Sequence, residues 1–149
     1  MLIHEVTPDE NVMKVLLQFS KDWENENSCY GYRANEETDI EGNRVFLAEE
    51  NGKTFGYLFG KVYPSENMRS IMPEGTPFFE VEELYVIPEK RSQGIGRQLF
   101  CCAENAVASE AAYMMLSTAT KNWKSIFRFY LDELGMEFWS ARLYKRICP

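Results

Sequence analysis

VIPEKRSQGIGRQL, residues Val86 to Leu99, is the stretch on which the fold turns. An apolar run ends at Pro88, passes through charged and polar residues, and enters Gly94-Ile95-Gly96. Leu84, Tyr85 and Val86 favour a strand, and Pro88 discourages its continuation in a central sheet. Behind the glycines, Leu99, Phe100, Ala103, Ala106 and Val107 recur at helical spacing. A helix that starts here has backbone N–H groups without intrahelical partners, and its dipole attracts an anion. Glycines leave room for a phosphate to approach, and Arg91 and Arg97 add positive charge. The stretch is neither a P-loop nor a full GxGxxG dinucleotide fingerprint. Taken alone, the glycine pair fits an ordinary turn better.

The rest of the chain narrows the choice. Its 149 residues, 45% of them hydrophobic, fit one compact domain over 1–149 and argue against disorder. No apolar run is long enough to span a membrane, and the start lacks a secretory signal, so a cytoplasmic protein is expected. A net charge of -7 with no basic face argues against a nucleic-acid partner. Four cysteines without metal-ligand spacing, and His4 as the single histidine, predict reduced thiols and no metal site.

Periodicity predicts a first strand at Leu2 to Val6 and then a helix capped by Thr7, with Pro8 at its first position and Glu10 completing a capping box. A second helix or a flexible loop covers part of Trp23 to Ile40. Strands at Val45 to Glu49 and Thr54 to Val62 flank Asn51-Gly52, a strong antiparallel hairpin signal. Tyr63 to Pro77 reads as a long connection, either an ordinary insertion or a wall or lid of a pocket. Strands at Phe78 to Ile87 and Tyr113 to Ser117 flank the helix after Gly94, an α/β crossover. A helix through Ser125 to Leu134 ends at Gly135, and Phe138 to Ile147 reads as a last strand.

With Arg91, Gly94 and Gly96 in this order, after EELYVIPE and before RQL, the chain resembles the GCN5-related N-acetyltransferase (GNAT) family. Weaker similarity runs through Asn122 and through Phe129, Tyr130, Leu134 and Gly135. The resemblance implies a mixed central sheet with two splayed parallel strands and flanking helices. It also implies acetyl-CoA as acyl donor, with pyrophosphate on the loop of Arg91, Ser92, Gln93, Gly94, Ile95, Gly96 and Arg97. The strand Leu84, Tyr85 and Val86 would hold the pantetheine arm through its backbone, with Asn122 on the other side. Asn122 also reads as a helix cap.

Acetyl transfer to an amine needs a proton acceptor, an oxyanion donor and a proton for the departing thiolate. By resemblance to polyamine acetyltransferases, Glu82 and Glu83 are candidates for base or amine anchoring. A solvated edge or a salt bridge to Lys90 or Arg91 is the plainer account. A regular strand puts Glu80 and Glu82 on one face and Glu83 on the other, unless a bulge intervenes. Resemblance makes Tyr130 the candidate proton donor, yet it stands five residues before Gly135 where related sequences often have four. One extra helical residue turns a side chain by about 100 degrees, so packing against the core is the competing role.

Asp22, Glu24, Glu26, Glu36, Glu37, Asp39 and Glu41 crowd one region, interleaved with Trp23, Tyr30 and Tyr32. Such a region can surround a cation or be a solvated, packed helix face. The first reading is an N-acetyltransferase acting on a small primary amine such as a polyamine or aminoglycoside, a peptide amine being the other acceptor. The alternatives are a noncatalytic acyl-CoA-binding or regulatory domain and a purely structural interaction protein. The aromatic C-terminal strand can pair two subunits through its edge, and the resemblance to a family whose members often form dimers makes a homodimer an expectation.

Overall fold

The structure, a computed structural model, describes residues 1–147. The chain runs β1 (Leu2–Val6), α1 (Glu10–Glu26), α2 (Glu37–Ile40), β2 (Arg44–Glu50), β3 (Lys53–Pro64) and β4 (Pro77–Val86). A 3-10 turn (Pro88–Lys90), α3 (Ile95–Val107), β5 (Tyr113–Met115) and α4 (Trp123–Phe127) follow, and a π-helical segment (Arg128–Glu133) closes the series. The strands form one sheet in the order β1-β2-β3-β4-β5, antiparallel except for the parallel pair β4–β5.

Helices cover both faces. On one, α3 buries Ile95, Leu99, Phe100, Ala103 and Val107 against Phe46, Leu58, Phe79 and Val81. On the other, Leu16 of α1 is buried with Val45, Leu47, Tyr57, Phe59 and Tyr85, while Val12, Met13, Phe19 and Trp23 pack on the same cluster. Each helix brings an apolar stripe at 3.6-residue spacing, so two cores share one sheet. The hairpin at Asn51-Gly52 forms with positive φ at both residues (52° and 75°), as a tight hairpin turn demands.

Two irregularities in β4 position everything that follows. Its pairing with β5 covers only Phe78, Glu80 and the residue between them, after which the parallel strands separate. Its pairing with β3 also slips: Phe59 lies opposite Glu83 and Gly60 opposite Val81, so Glu82 is a bulged residue without a partner. Phe79 and Val81 face α3 before the bulge, and Leu84 and Val86 face it afterwards. Glu80 and Glu83 lie opposite Lys61 and Phe59, on the α1 face, and Glu82 accepts a hydrogen bond from Tyr63 there. The alternation of a regular strand is thereby corrected: all three glutamates share one face. Gly60 permits this, because a Cβ there would stand 2.2 Å from the Glu80 carbonyl oxygen and 2.7 Å from the Phe79 ring.

Three further expectations are corrected, and the long connection expected at 63–77 is present. The first helix is capped by Asp9, whose carboxylate accepts the Val12 N–H at 2.8 Å, rather than by Thr7. Asp9 stands directly before the first helical residue, Glu10, where an N-cap oxygen reaches the free amides. The 63–77 connection is a built loop: Ser65 donates to Pro73 and accepts from the Thr76 N–H, each at 3.0 Å, over a buried Met72. The helix expected at 125–134 starts at Trp123 and changes to π geometry at Arg128, reaching Gly135 in a left-handed cap (φ 70°). Phe138 to Ile147 forms no strand: it is exposed, and no described strand runs beside it. Alternating hydrophobicity makes a strand only where a partner edge supplies hydrogen bonds.

Gly60→Val is expected to cost about 2–3 kcal/mol or more, the upper range for overpacking. The check is urea unfolding of the parent and variant followed by circular dichroism.

Candidate functional site

The glycine segment joins the end of β4 to the start of α3. Ser92 (φ 63°) and Gly94 (φ 84°) both adopt the left-handed conformation, and Gly94 is the N-cap. Gln98 is the residue whose N–H returns to the Gly94 carbonyl, at 3.1 Å. The amides of Ile95, Gly96 and Arg97 therefore precede the first intrahelical bond of α3 and are free to hold an anion. A left-handed serine costs about 1–3 kcal/mol and persists where the surrounding structure enforces it.

Arg91 enforces it here. Its Nε donates to the Val86 carbonyl at 2.8 Å, and its Nη1 and Nη2 donate to Glu26 at 2.6 and 3.0 Å. The guanidinium lies 5.3 Å from the Tyr85 ring centre, and the Tyr85 hydroxyl donates to the same Glu26 at 3.0 Å. Arg91 thus staples the loop to the ends of α1 and β4 rather than projecting toward an anion. The Val86 carbonyl keeps its second lone pair for another donor. Gly96 does more than make room: a Cβ on it would lie 3.3 Å from the Phe129 ring. The glycine lets the π-helical segment pack against the first turn of α3.

From Val81 onward β4 has no strand on its β5 side, so the backbone groups of Leu84 and Val86 face the splay while those of Tyr85 turn toward β3. The free amides of α3 stand at the open end of this splay and Glu80 and Glu82 at its vertex, where pairing stops. Asn122 is the N-cap residue of α4 by backbone position, but its side chain makes no capping bond and leaves its amide free.

The three glutamates differ in their surroundings. Glu83 is committed: Tyr57 and Tyr32 donate to one oxygen at 2.7 and 3.1 Å, and Asn35 Nδ2 to the other at 2.8 Å. Burial pushes its carboxyl up while those three donors pull it down, and the balance stays above the ordinary carboxylate range. Glu82 is exposed and accepts from Tyr63 at 3.1 Å. Glu80 is half-buried, and no described cation forms an ion pair with it. Burial, reinforced by the charge of Glu82, pushes its carboxyl up to about 7. Glu80 is a functional candidate that sequence reasoning did not select. Its signal was the run of acids around the bulge, which is legible only once Gly60 is paired with Val81.

Trp23 and Tyr32 are brought together, ring centres 4.4 Å apart, but as part of the α1 core. Trp23 also packs on Tyr85, and Tyr32 is tied to buried Ser20 at 2.7 Å. Tyr30 is separate and exposed, with Lys121 Nζ 5.2 Å above its ring. Part of the acidic region is structural. Glu24 accepts the Ala34 N–H, Glu26 holds Arg91, and Asp39 caps α2.

The segment around Tyr30 crosses to the chain beyond β5. Tyr30 N–H donates to Ala119, Lys121 N–H donates to Ser28, and Cys29 pairs with Thr120. Tyr130 lies near Cys29, and its hydroxyl has no hydrogen-bond partner among the described residues. Burial pushes its pKa up to about 12, so it is protonated at neutral pH. The residue in excess between Tyr130 and Gly135 is absorbed by the π turn. Leu134 N–H bonds back to Phe129 and Met136 N–H to Tyr130, both at 3.0 Å. Among the described residues, no three His, Cys, Asp or Glu side chains gather into a metal-binding group, and no helix is long and apolar enough to cross a membrane.

Comparison with known proteins agrees with this geometry. No curated protein sequence matches the chain. Among solved structures, it is similar to an aminoglycoside N-acetyltransferase AAC(6')-Iy in complex with CoA. That match has a TM-score of 0.68 at 16% identity, covering 99% of this chain and 100% of that one. It is similar to an aminoglycoside 6'-N-acetyltransferase AAC(6')-IG from Acinetobacter haemolyticus, with a TM-score of 0.68 at 16% identity over 100% and 99% of the two chains. A transcriptional regulator from Bacillus halodurans gives a TM-score of 0.70 at 20% identity over 98% and 99%. At these identities the likeness is one of fold. Residues 12–136 match the Acetyltransferase (GNAT) family, and that span, with its splayed strands and its glycine loop, establishes that the chain belongs to the GNAT acetyltransferases.

Proposed function

We propose that this chain moves an acetyl group from acetyl-CoA to the primary amine of a small cationic molecule, of the polyamine or aminoglycoside kind. One observation carries the reading. The splay of β4 from β5 has free helix-terminal amides at its open end and, at its vertex, two carboxylates without a cation partner among the described residues. The first end suits a pyrophosphate and the second a cationic amine. The aminoglycoside acetyltransferases of the same fold support a small amine as acceptor.

Each group then has a task. The amides of Gln93 to Arg97 hold the pyrophosphate, and the unpaired edge at Leu84 to Val86, with Asn122 opposite, lines the pantetheine arm. Glu82 anchors the ammonium, and Glu80, poised near neutrality, takes its proton. The neutral nitrogen attacks the thioester carbon, and a backbone N–H at the bulge receives the developing oxyanion. As the carbon–sulfur bond breaks, Tyr130 gives its proton to the thiolate, and the acylated nitrogen releases its second proton, which returns to the Tyr130 phenolate through solvent. Glu83, held by Tyr32, Tyr57 and Asn35, positions α1 and its following loop as the acceptor wall, with Trp23, Tyr30 and Tyr32. Release of CoA thiol from acetyl-CoA with a panel of spermidine, an aminoglycoside and a lysine peptide tests the proposal. Binding of acetyl-CoA with no turnover on any amine would support the noncatalytic alternative.

Tyr130→Phe is expected to lower kcat by about 10²-fold or more while the affinity for acetyl-CoA stays near the parent value. A parent-like kcat removes Tyr130 as the acid.

Glu80 must be ionised to accept a proton, so kcat/KM is expected to rise with pH and level off above about 7. Glu80→Gln should flatten that limb. The same group gives an opposite signature in stability. Its folded pKa lies above the ordinary value of 4.5, so the folded state holds the proton more tightly and loses stability as pH rises from 4.5 through about 7. Glu80→Gln should therefore melt higher than the parent at pH 8 and near it at pH 4, read by thermal denaturation.

A further inference from the structure

We propose that Glu26 to Tyr30 form a strap across the splay of β4 and β5, and that the pantetheine arm of CoA enters and leaves when this strap lifts. The inference rests on the acyl-CoA reading of the splay and adds to it the route by which the donor comes and goes.

Each end of the strap is fixed to one arm of the splay. At the β4 arm, Glu26 accepts from Arg91 Nη1 and Nη2 at 2.6 and 3.0 Å and from the Tyr85 hydroxyl at 3.0 Å. Arg91 Nε in turn donates to the Val86 carbonyl at 2.8 Å, on the edge that faces the splay. At the other arm the partners lie in the chain that leaves β5. Tyr30 N–H donates to the Ala119 carbonyl at 2.9 Å, and Lys121 N–H donates to the Ser28 carbonyl at 2.8 Å. Lys121 Nζ also reaches Asn27 Oδ1 at 3.1 Å. Continued in its own register, the β4–β5 pairing would set Leu84 opposite Ala119 and Val86 opposite Lys121. The strap therefore joins the two arms at the level where the sheet stands open.

Chain length bounds the gap beneath it. Four residue steps reach at most about 14 Å. One extended chain seated between two strands needs about twice the strand spacing, roughly 9–10 Å. The gap thus suits a slender amide chain such as pantetheine, flanked by both arms and crossed by the strap. Such an arm reaches solvent sideways only when the strap lifts.

The strap also has hinges. Asn27 (φ 52°) and Gly31 (φ 71°) are both left-handed and bracket Ser28 to Tyr30. Loop and helix-end positions of this kind absorb the backbone rotation of a lid. A Cβ on Gly31 would meet nothing within 4 Å, so packing does not hold that hinge. The two ends are unequal. Glu26 gathers an ion pair and a phenol, whereas the far end has two backbone bonds, the Lys121 side chain, and the Tyr144 hydroxyl on Tyr30 at 3.2 Å. The far end is the one that opens.

The far end offers its own lock. Cys29 and Thr120 are an antiparallel pair between the two backbone bonds. In such a pair the Cα atoms stand about 4.5 Å apart, which a disulfide can bridge. The test follows CoA exchange by stopped-flow displacement in Thr120→Cys oxidised with diamide, in the same variant reduced with dithiothreitol, and in the parent under both treatments. The reduced variant and the parent are expected to exchange alike. The oxidised variant is expected to take up and release CoA about 10-fold more slowly or less, with a dissociation constant within about 3-fold of the reduced form, because a lid scales both rates together. Hydrogen exchange on the parent gives a reading that needs no variant: the Tyr30 and Lys121 amides should exchange more slowly with CoA bound. Equal or faster CoA release after oxidation, a failure of Cys29 to join the introduced cysteine, or amides indifferent to CoA would each overturn the strap while leaving CoA binding intact. A parent that does not bind CoA overturns the acyl-CoA reading and the strap with it.

Discussion

A close approach of two backbones governs this structure. Gly60 of β3 lies so near the Glu80 carbonyl that no side chain fits between them. Because the strands meet there without a Cβ, β4 can insert the extra residue Glu82 and shift its phase. The apolar residues on both sides of the bulge still reach the α3 core, and the acids between them all turn toward α1. A regular strand would have sent Glu83 into the α3 core, where a carboxylate finds no partner and is costly to bury.

The bulge and the splay act together. A sheet in which β4 kept its pairing with β5 would satisfy its own amides and offer nothing to a ligand. Separation beyond Glu80 leaves one side of an interior strand open, whereas its interior neighbours β2 and β3 are paired on both sides. The body has to be rigid for such an edge to persist, and its two helical faces make it so. Arg91 and Glu83 serve the same end from opposite sides. Each gathers several hydrogen bonds from separate elements, so that α1, β4 and the glycine loop hold one arrangement. Their charges serve the architecture, whereas Glu80, Glu82 and Tyr130, the groups proposed for the chemistry, have fewer partners.

The π-helical segment solves a problem of spacing. A single extra residue in an α-helix would rotate everything beyond it, moving either Tyr130 or the Gly135 cap out of place. Widening one turn absorbs the residue locally, with the Leu134 N–H reaching five residues back to Phe129. Phe129 can then rest on Gly96 while Tyr130 lies near Cys29. The contact between Gly96 and Phe129 also links the loop that would hold the donor to the residue that would supply the proton.

Much of this was determined by the sequence alone. Asn51-Gly52 names its hairpin because few residues tolerate positive φ, and the strand–loop–helix order around Gly94 names the crossover and a candidate anion site because both arise from local backbone chemistry. Arg91, Gly94 and Gly96 carry the resemblance to the family, and it is that resemblance which implied the mixed sheet and the splay. Only the tertiary structure decided which carboxylate is free. Glu80, Glu82 and Glu83 are chemically alike and nearly adjacent, and what separates them is a register slip against β3 and three donors from distant segments. The same holds for Phe138 to Ile147, whose alternation prescribes a strand without supplying a neighbour. Periodicity is a property of a segment, whereas burial, pairing and proton affinity belong to what the fold sets beside it.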